Sequence, residues 1–209
     1  MGVLAMGNKT ILLSVKPEHV ANILNGLKTI EIRKTCPKEE LPITVYIYCT
    51  KDIKNIYRVM RNYNNKVLKL VASSNAFKEE LKDRNTINGK VVAKFTLNKV
   101  EKIKYHCLTR YNSYGISKIV NEYNTKSLTY SQLRKAACLT DDKMDNYFSG
   151  ALVVDGIVGY AWHIDDLIIF DKTKELSRFG TLTNKCNGFR GGLKPLTKAP
   201  QSWCYIEAD

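Results

Sequence analysis

At 209 residues, 44% of them hydrophobic and 25% charged, the chain has the composition of a folded protein large enough for one well-buried domain, and global disorder is excluded. Its 33 Lys and Arg outnumber 20 Asp and Glu to leave a formal charge of +13, an excess that favours polyanionic partners through phosphate neutralisation and counterion release. No apolar run approaches the roughly 20 residues a bilayer span needs, and no strongly basic amphipathic helix stands out, so nucleic acid is favoured over a membrane.

Residues 1–6 place Met6 where a myristoylation signal wants Ser or Thr, and they lack the charged region and apolar core of a signal peptide. A cytoplasmic chain is expected. Cys36, Cys49, Cys107, Cys138, Cys186 and Cys204 form no C-x-x-C pair, and the three histidines show no i, i+4 spacing, so neither a metal site nor a cofactor is expected. The cysteines read as reduced thiols, with Cys49 and Cys204 buried in strands.

Residues 10–15 are rich in β-formers and predict a strand. Pro17 suits the first helical position and Glu18 the positive end of a helix, and Val20, Ile23, Leu24 and Leu27 then recur at helical spacing. Asn25-Gly26 supplies the stop. A strand over 28–33 follows, in which Ile30 and Ile32 alternate with Thr29, Glu31 and Arg33, while Lys28 stands where it begins. A hydroxyl, a carboxylate and two cations on rigid backbone describe a binding site. They equally describe a solvated face with a weak i, i+2 ion pair.

Residues 43–50 read as an interior strand, because both alternating sets are apolar or aromatic. From 51 to 81 the pattern is helical, broken at 62–66. Asn88-Gly89 marks a turn before a long strand from Val91, whose phase slips near Lys99 and so predicts a bulge or the bend of a barrel. Residues 105–150 are polar and tyrosine-bearing and predict a helical insertion, with Thr129-Tyr130-Ser131-Gln132 as a capping box. Strands return at 159–164 and 167–170. A loop with Gly188, Gly191 and Gly192 covers 184–194, and a last strand 203–207 closes the sheet.

No P-loop, dinucleotide-binding glycine pattern or G-x-S-x-G elbow occurs. His163, followed by Asp165-Asp166, reads either as a general base oriented by a carboxylate or as a hydrogen-bonded structural residue. Trp162 and Trp203 either stack on a base or pack in the core, and one of them is expected in a cleft.

Gly26, Lys28, Glu31 and Arg33 complete the pattern G-x-K-x-x-E-x-R after the first helix. With Ser14-Val15-Lys16-Pro17 before it, Tyr46-Ile47-Tyr48-Cys49-Thr50-Lys51 after it, and the pieces 160–167 and 199–205, the chain resembles the ASCH family of the PUA-like superfamily, as found in bacterial and prophage genomes. The resemblance implies an α+β fold, a PUA-like bent β-barrel with helices at its openings, as one domain over 1–209 with helical insertions at about 53–84 and 105–150. It also implies a cleft beside the motif for RNA or a nucleotide. Lys16, Lys28, Glu31, Arg33, Lys51, Trp162, His163, Ser202 and Trp203 are its candidate binding residues. Lys28 and Arg33 would meet phosphate or a carbonyl, Glu31 would accept from a base edge or orient Lys28, and a tryptophan would stack.

Some members are amidohydrolases that deacetylate acetylated cytidine with a lysine, a threonine and a glutamate, and others are described as ribonucleases. Lys28 matches the lysine, Glu31 occupies the threonine's place, and Glu122 is only near where the glutamate would fall. An enzyme would use Lys28 as base or nucleophile and Glu31 as proton shuttle. A third alternative is a prophage accessory protein that binds a host protein or sequesters a signalling nucleotide.

Overall fold

Two sheets, between which the chain passes four times, carry most of the computed structural model, which describes residues 10–60, 66–70, 83–108, 113–117, 128–148, 157–182 and 193–207. The first sheet starts from β1 (Thr10–Val15), whose neighbours are the parallel β3 (Ile43–Cys49) and the antiparallel β13 (Trp203–Ile206). Beyond β3 lie β6 (Val91–Leu97) and β10 (Asp165–Lys174). The second sheet runs β2 (Ile30–Arg33), β9 (Ile157–His163), β7 (Val100–Leu108), β8 (Ser113–Ser117).

Strand alternation sorts side chains between layers. Ile11, Leu13 and Val15 of β1 share a core with Val20, Ile23 and Leu24 of α1 (Pro17–Leu24), whereas Leu12 faces the other side with Tyr46, Phe179 and Ile206. As the sequence predicts, β3 is an interior strand buried on both faces. Gly26, just beyond α1, has φ +74°, a conformation glycine adopts without steric cost.

The slip expected near Lys99 is the passage between the sheets from β6 to β7, and the return runs from β9 to β10 through Ile164. His163 N–H donates to Lys99 O at 3.0 Å, which ties the two corners together. Thr29, just before β2, is fastened at both ends: its carbonyl accepts from Ile164 N–H at 3.0 Å and its N–H donates to Ala136 O at 2.9 Å. The ladders among the described residues form separate sheets rather than one closed ring, and those residues are mainly strand with three α-helices, an α+β architecture.

The two stretches expected to be helical contain strands among their described residues. The described part of 53–84 is not helical but an antiparallel ribbon of β4 (Ile56–Met60) and β5 (Lys66–Leu70). The β-branched and aromatic Ile56, Tyr57, Val59 and Val67 prefer a pleated surface and are buried there. The ribbon is docked by side chains that imitate backbone: Asn25 Oδ1 accepts from Val67 N–H at 2.8 Å, and Asn88 Oδ1 accepts from Tyr57 N–H at 2.9 Å. The stretch 105–150 also begins as strand, since β7 continues to Leu108 and pairs with β8.

Among the described residues helices follow as α2 (Tyr130–Ala137), with the predicted Thr129–Gln132 capping box, and α3 (Asp141–Phe148). They cover the outer face of the second sheet, where Leu133, Ala137, Met144 and Phe148 meet Ile30, Ile32, Ile103, Tyr105 and Ala161. Each large apolar side chain buried in this way contributes about 1.5–3 kcal/mol. Gly159 permits the seat: a Cβ there would lie 2.7 Å from the Phe148 ring.

The ribbon β11 (Gly180–Leu182) and β12 (Leu193–Pro195) completes the strands. The glycines of the expected loop and Glu122 lie outside the described residues. Cys49 is buried as expected, whereas Cys204 is only half-buried. Among the described residues no helix is long and apolar enough to cross a membrane, and no cluster of His, Cys, Asp and Glu can hold a metal ion.

Candidate functional site

Lys28, Glu31 and Arg33 are 3%, 6% and 9% exposed, values that rule out a solvated face. The same alternation that puts Ile30 and Ile32 under α2 and α3 turns Glu31 and Arg33 to the other side of β2. Glu31 lies between two cations. Its Oε2 is 3.2 Å from Lys28 Nζ and its Oε1 is 2.8 Å from Arg33 Nη2. Lys28 also donates to Ala137 O at 2.6 Å, and Arg33 donates to Ser14 O at 2.7 Å and to Ser202 Oγ at 3.3 Å.

Burial alone would raise the Glu31 carboxyl, but the Lys28 ammonium and Arg33 guanidinium outweigh it and hold it below the ordinary carboxylate value. The group is therefore ionised and acts as an acceptor, with one positive charge in excess over the three residues. Arg33 Nε is buried without a hydrogen-bond partner. A donor left in this state has a reason to be there, and a ligand is one.

These residues form the floor of a cleft of about 590 Å³, within the usual range for small-molecule sites. One wall comes from the end of β1 and the first turn of α1, with Ser14, Lys16, Glu18 and His19. Another comes from α3, with Lys143, Asn146 and Tyr147, and Thr50 and Gln201 add polar groups. Lys143 Nζ meets Glu18 Oε1 at 2.6 Å and joins the two walls. That hydrogen bond holds the Glu18 carboxyl below its ordinary value.

His19 is half-buried, and its Nδ1 is enclosed without a hydrogen-bond partner. Burial first, and then the Lys28 ammonium, depress its pKa, so the ring is neutral at neutral pH. Burial likewise raises the Tyr147 phenol and keeps it protonated.

Of the residues proposed from sequence, Lys16, Lys28, Glu31 and Arg33 line this cleft, and Ser202 stands behind it holding Arg33. Lys51, Trp162, His163 and Trp203 are not among the lining residues. Trp162 is 0% exposed and packs in the core between the sheets, so its ring is closed to a stacking base. Trp203 is half-buried, edge-on to Trp162 with centroids 5.6 Å apart, and donates its indole N–H to Thr35 Oγ1 at 3.0 Å. The expectation that one tryptophan occupies the cleft is thus corrected: the two rings pack on each other.

His163 pairs with Ile30 across the β2–β9 ladder and so shares the face turned away from Glu31. Its Nε2 is 3.9 Å from Glu101, so Asp165-Asp166 is not its closest carboxylate. Burial lowers its pKa, against an opposing effect of Glu101.

Sequence reasoning missed His19, Lys143, Asn146 and Tyr147. His19 carried a signal, standing three residues after Lys16 on one helical face. The α3 residues carried none, since more than a hundred residues separate them from the motif.

No family model matches the chain, and no curated protein matches it in sequence. Among solved structures the chain is similar to ASCH from Zymomonas mobilis, with 16% identity and a TM-score of 0.49, over 96% of this chain and 89% of that one. It is similar to the same extent to two single-substitution mutants of that protein, at 16% and 15% identity and TM-scores of 0.49.

Proposed function

We propose that this is an ASCH-type protein that binds RNA or a nucleotide in the cleft beside the G-x-K-x-x-E-x-R motif. The observation that carries the reading is the buried Lys28–Glu31–Arg33 arrangement at the floor of a cleft of about 590 Å³. A cationic excess with one fixed acceptor suits a ligand that brings both anionic or carbonyl oxygens and N–H donors, as a nucleotide does. The overall charge of +13 supplies the long-range attraction for such a ligand. A PUA-like bent barrel and one domain over 1–209 belong to the same reading.

The test is a titration with single-stranded RNA and with nucleoside monophosphates at increasing salt. Binding at low salt that weakens log-linearly with salt is expected. Absence of binding to every member at low salt would sink the proposal.

One observation favours a second reading, hydrolysis of a modified nucleoside: a lysine amine and a carboxylate lie 3.2 Å apart in a buried floor. Binding remains the principal reading because Lys28 already engages two acceptors, Ala137 O and Glu31. Incubation with acetylated cytidine followed by chromatography separates the two. A new product peak would move the function to a hydrolase.

A further inference from the structure

The motif accounts for the cleft floor but not for its mouth. There the half-buried ring of His19 lines the cleft, its enclosed Nδ1 without a hydrogen-bond partner. Lys16, the N-cap residue of α1 three positions earlier, is exposed and makes no ion pair among the described residues. Both side chains line the cleft whose floor holds the equally unpartnered Arg33 Nε. The two carboxylates of the lining are already neutralised, Glu18 by Lys143 and Glu31 by Lys28 and Arg33. What remains at the mouth is a cation and a half-buried imidazole, which together make a receptor for an oxyanion.

We propose that His19 is a ligand-contacting residue that, together with Lys16, receives a phosphodiester group of the RNA strand bound in the cleft. The inference rests on the RNA reading of the same cleft and adds a residue and a proton to it. In the free protein the groups facing the ring are Lys16 and Glu18 on its own turn, Lys28 and Glu31 on the floor, and Lys143 on α3. The ring is neutral there, in keeping with its depressed pKa. A phosphodiester placed against the half-buried ring adds a negative charge and favours the imidazolium, so binding takes up a proton. No covalent step is involved.

The probe is a short single-stranded RNA with a 5′-hydroxyl, whose charge is constant between about pH 5.5 and 8, so that any pH dependence belongs to the protein. Calorimetry in two buffers of different ionisation enthalpy should show proton uptake on binding to the unaltered protein, with affinity rising as pH falls over that interval. His19→Phe should abolish the uptake, flatten the pH dependence and weaken binding about ten-fold at pH 6. His19→Asn, which restores a polar atom near the Nδ1 position, should recover part of the affinity but none of the uptake.

The melting temperature of each variant reports its folding, and the imidazole NMR resonances of the unaltered protein supply a reading that needs no variant. A His19 resonance unmoved by saturating RNA overturns the inference, as does His19→Phe binding with unchanged affinity and pH profile. An unaltered protein that binds no RNA overturns the RNA reading as well, so the two failures are distinguishable.

Discussion

Lys143 on α3 and Glu18 on α1 form an ion pair of 2.6 Å between residues 125 positions apart, and both side chains line the cleft. A helix far from the motif in sequence is thereby part of the site rather than an ornament on it.

The contribution of this pair to stability is small and its contribution to binding is larger. Both side chains are about half exposed, so Lys143→Ala should cost no more than about 1 kcal/mol in urea unfolding. The same variant leaves Glu18 uncompensated at the mouth and should weaken RNA binding, whereas Glu18→Gln should strengthen it by a few-fold. Titrations at low salt check the opposite signs.

The floor should behave in the reverse way. Lys28 is 3% exposed, and Lys28→Met leaves Glu31 with Arg33 alone and Ala137 O without its donor, costing about 2–3 kcal/mol as well as binding. Glu31→Gln should cost more, because it leaves two buried cations side by side. A Lys28→Met, Glu31→Gln double variant should be more stable than the sum of the single losses implies. Denaturant midpoints of the four proteins decide it.

Acid should destabilise the fold in two windows of the same sign. The folded pKa of His19 lies below its ordinary 6.5, so the unfolded chain takes up that proton first and stability falls as pH drops below about 6.5. His163 acts in the same direction. Glu31 is held below its ordinary 4.5, so its contribution is fully present above that value and is lost as pH falls through the lower folded pKa. Urea midpoints measured from pH 8 to 3 should fall in both intervals, and His19→Phe should reduce the first loss without removing it.

The seat of α3 is testable without touching the cleft. In Gly159→Ala the new methyl would stand 2.7–2.8 Å from Phe148, which is 1% exposed and has no room to move, so a loss of about 1–3 kcal/mol is expected. Adding Phe148→Leu should restore part of it. Thermal melts of the single and double variants check the compensation.

What was legible in the sequence was local. Alternation over 28–33 placed Glu31 and Arg33 on one face, the Pro17 start and Gly26 stop bounded α1, and the phase slip near Lys99 marked a passage between sheets. Windows that mix aromatic and charged residues misled: Tyr57, Arg58 and Val59 look compatible with a helix, yet they pair as strand with β5, in a ribbon that Asn88 holds at Tyr57 and Asn25 at Val67. Trp162 is similar, since exposure is set by the sheet packed over it and not by its neighbours in sequence. The α3 wall was illegible because it depends on how residues 141–148 fold back over β2.

Thr29 has its N–H committed to Ala136 and its carbonyl to Ile164, so the peptide inside the motif is pinned from two sides. Adding or removing a single residue between Thr29 and Arg33 would exchange the faces of the strand, burying the two charged side chains under α2 and α3 and turning Ile30 and Ile32 toward the ligand. The spacing of lysine, glutamate and arginine is therefore a mechanical property of this junction. A variant site can change which residues occupy these positions far more readily than how many positions there are.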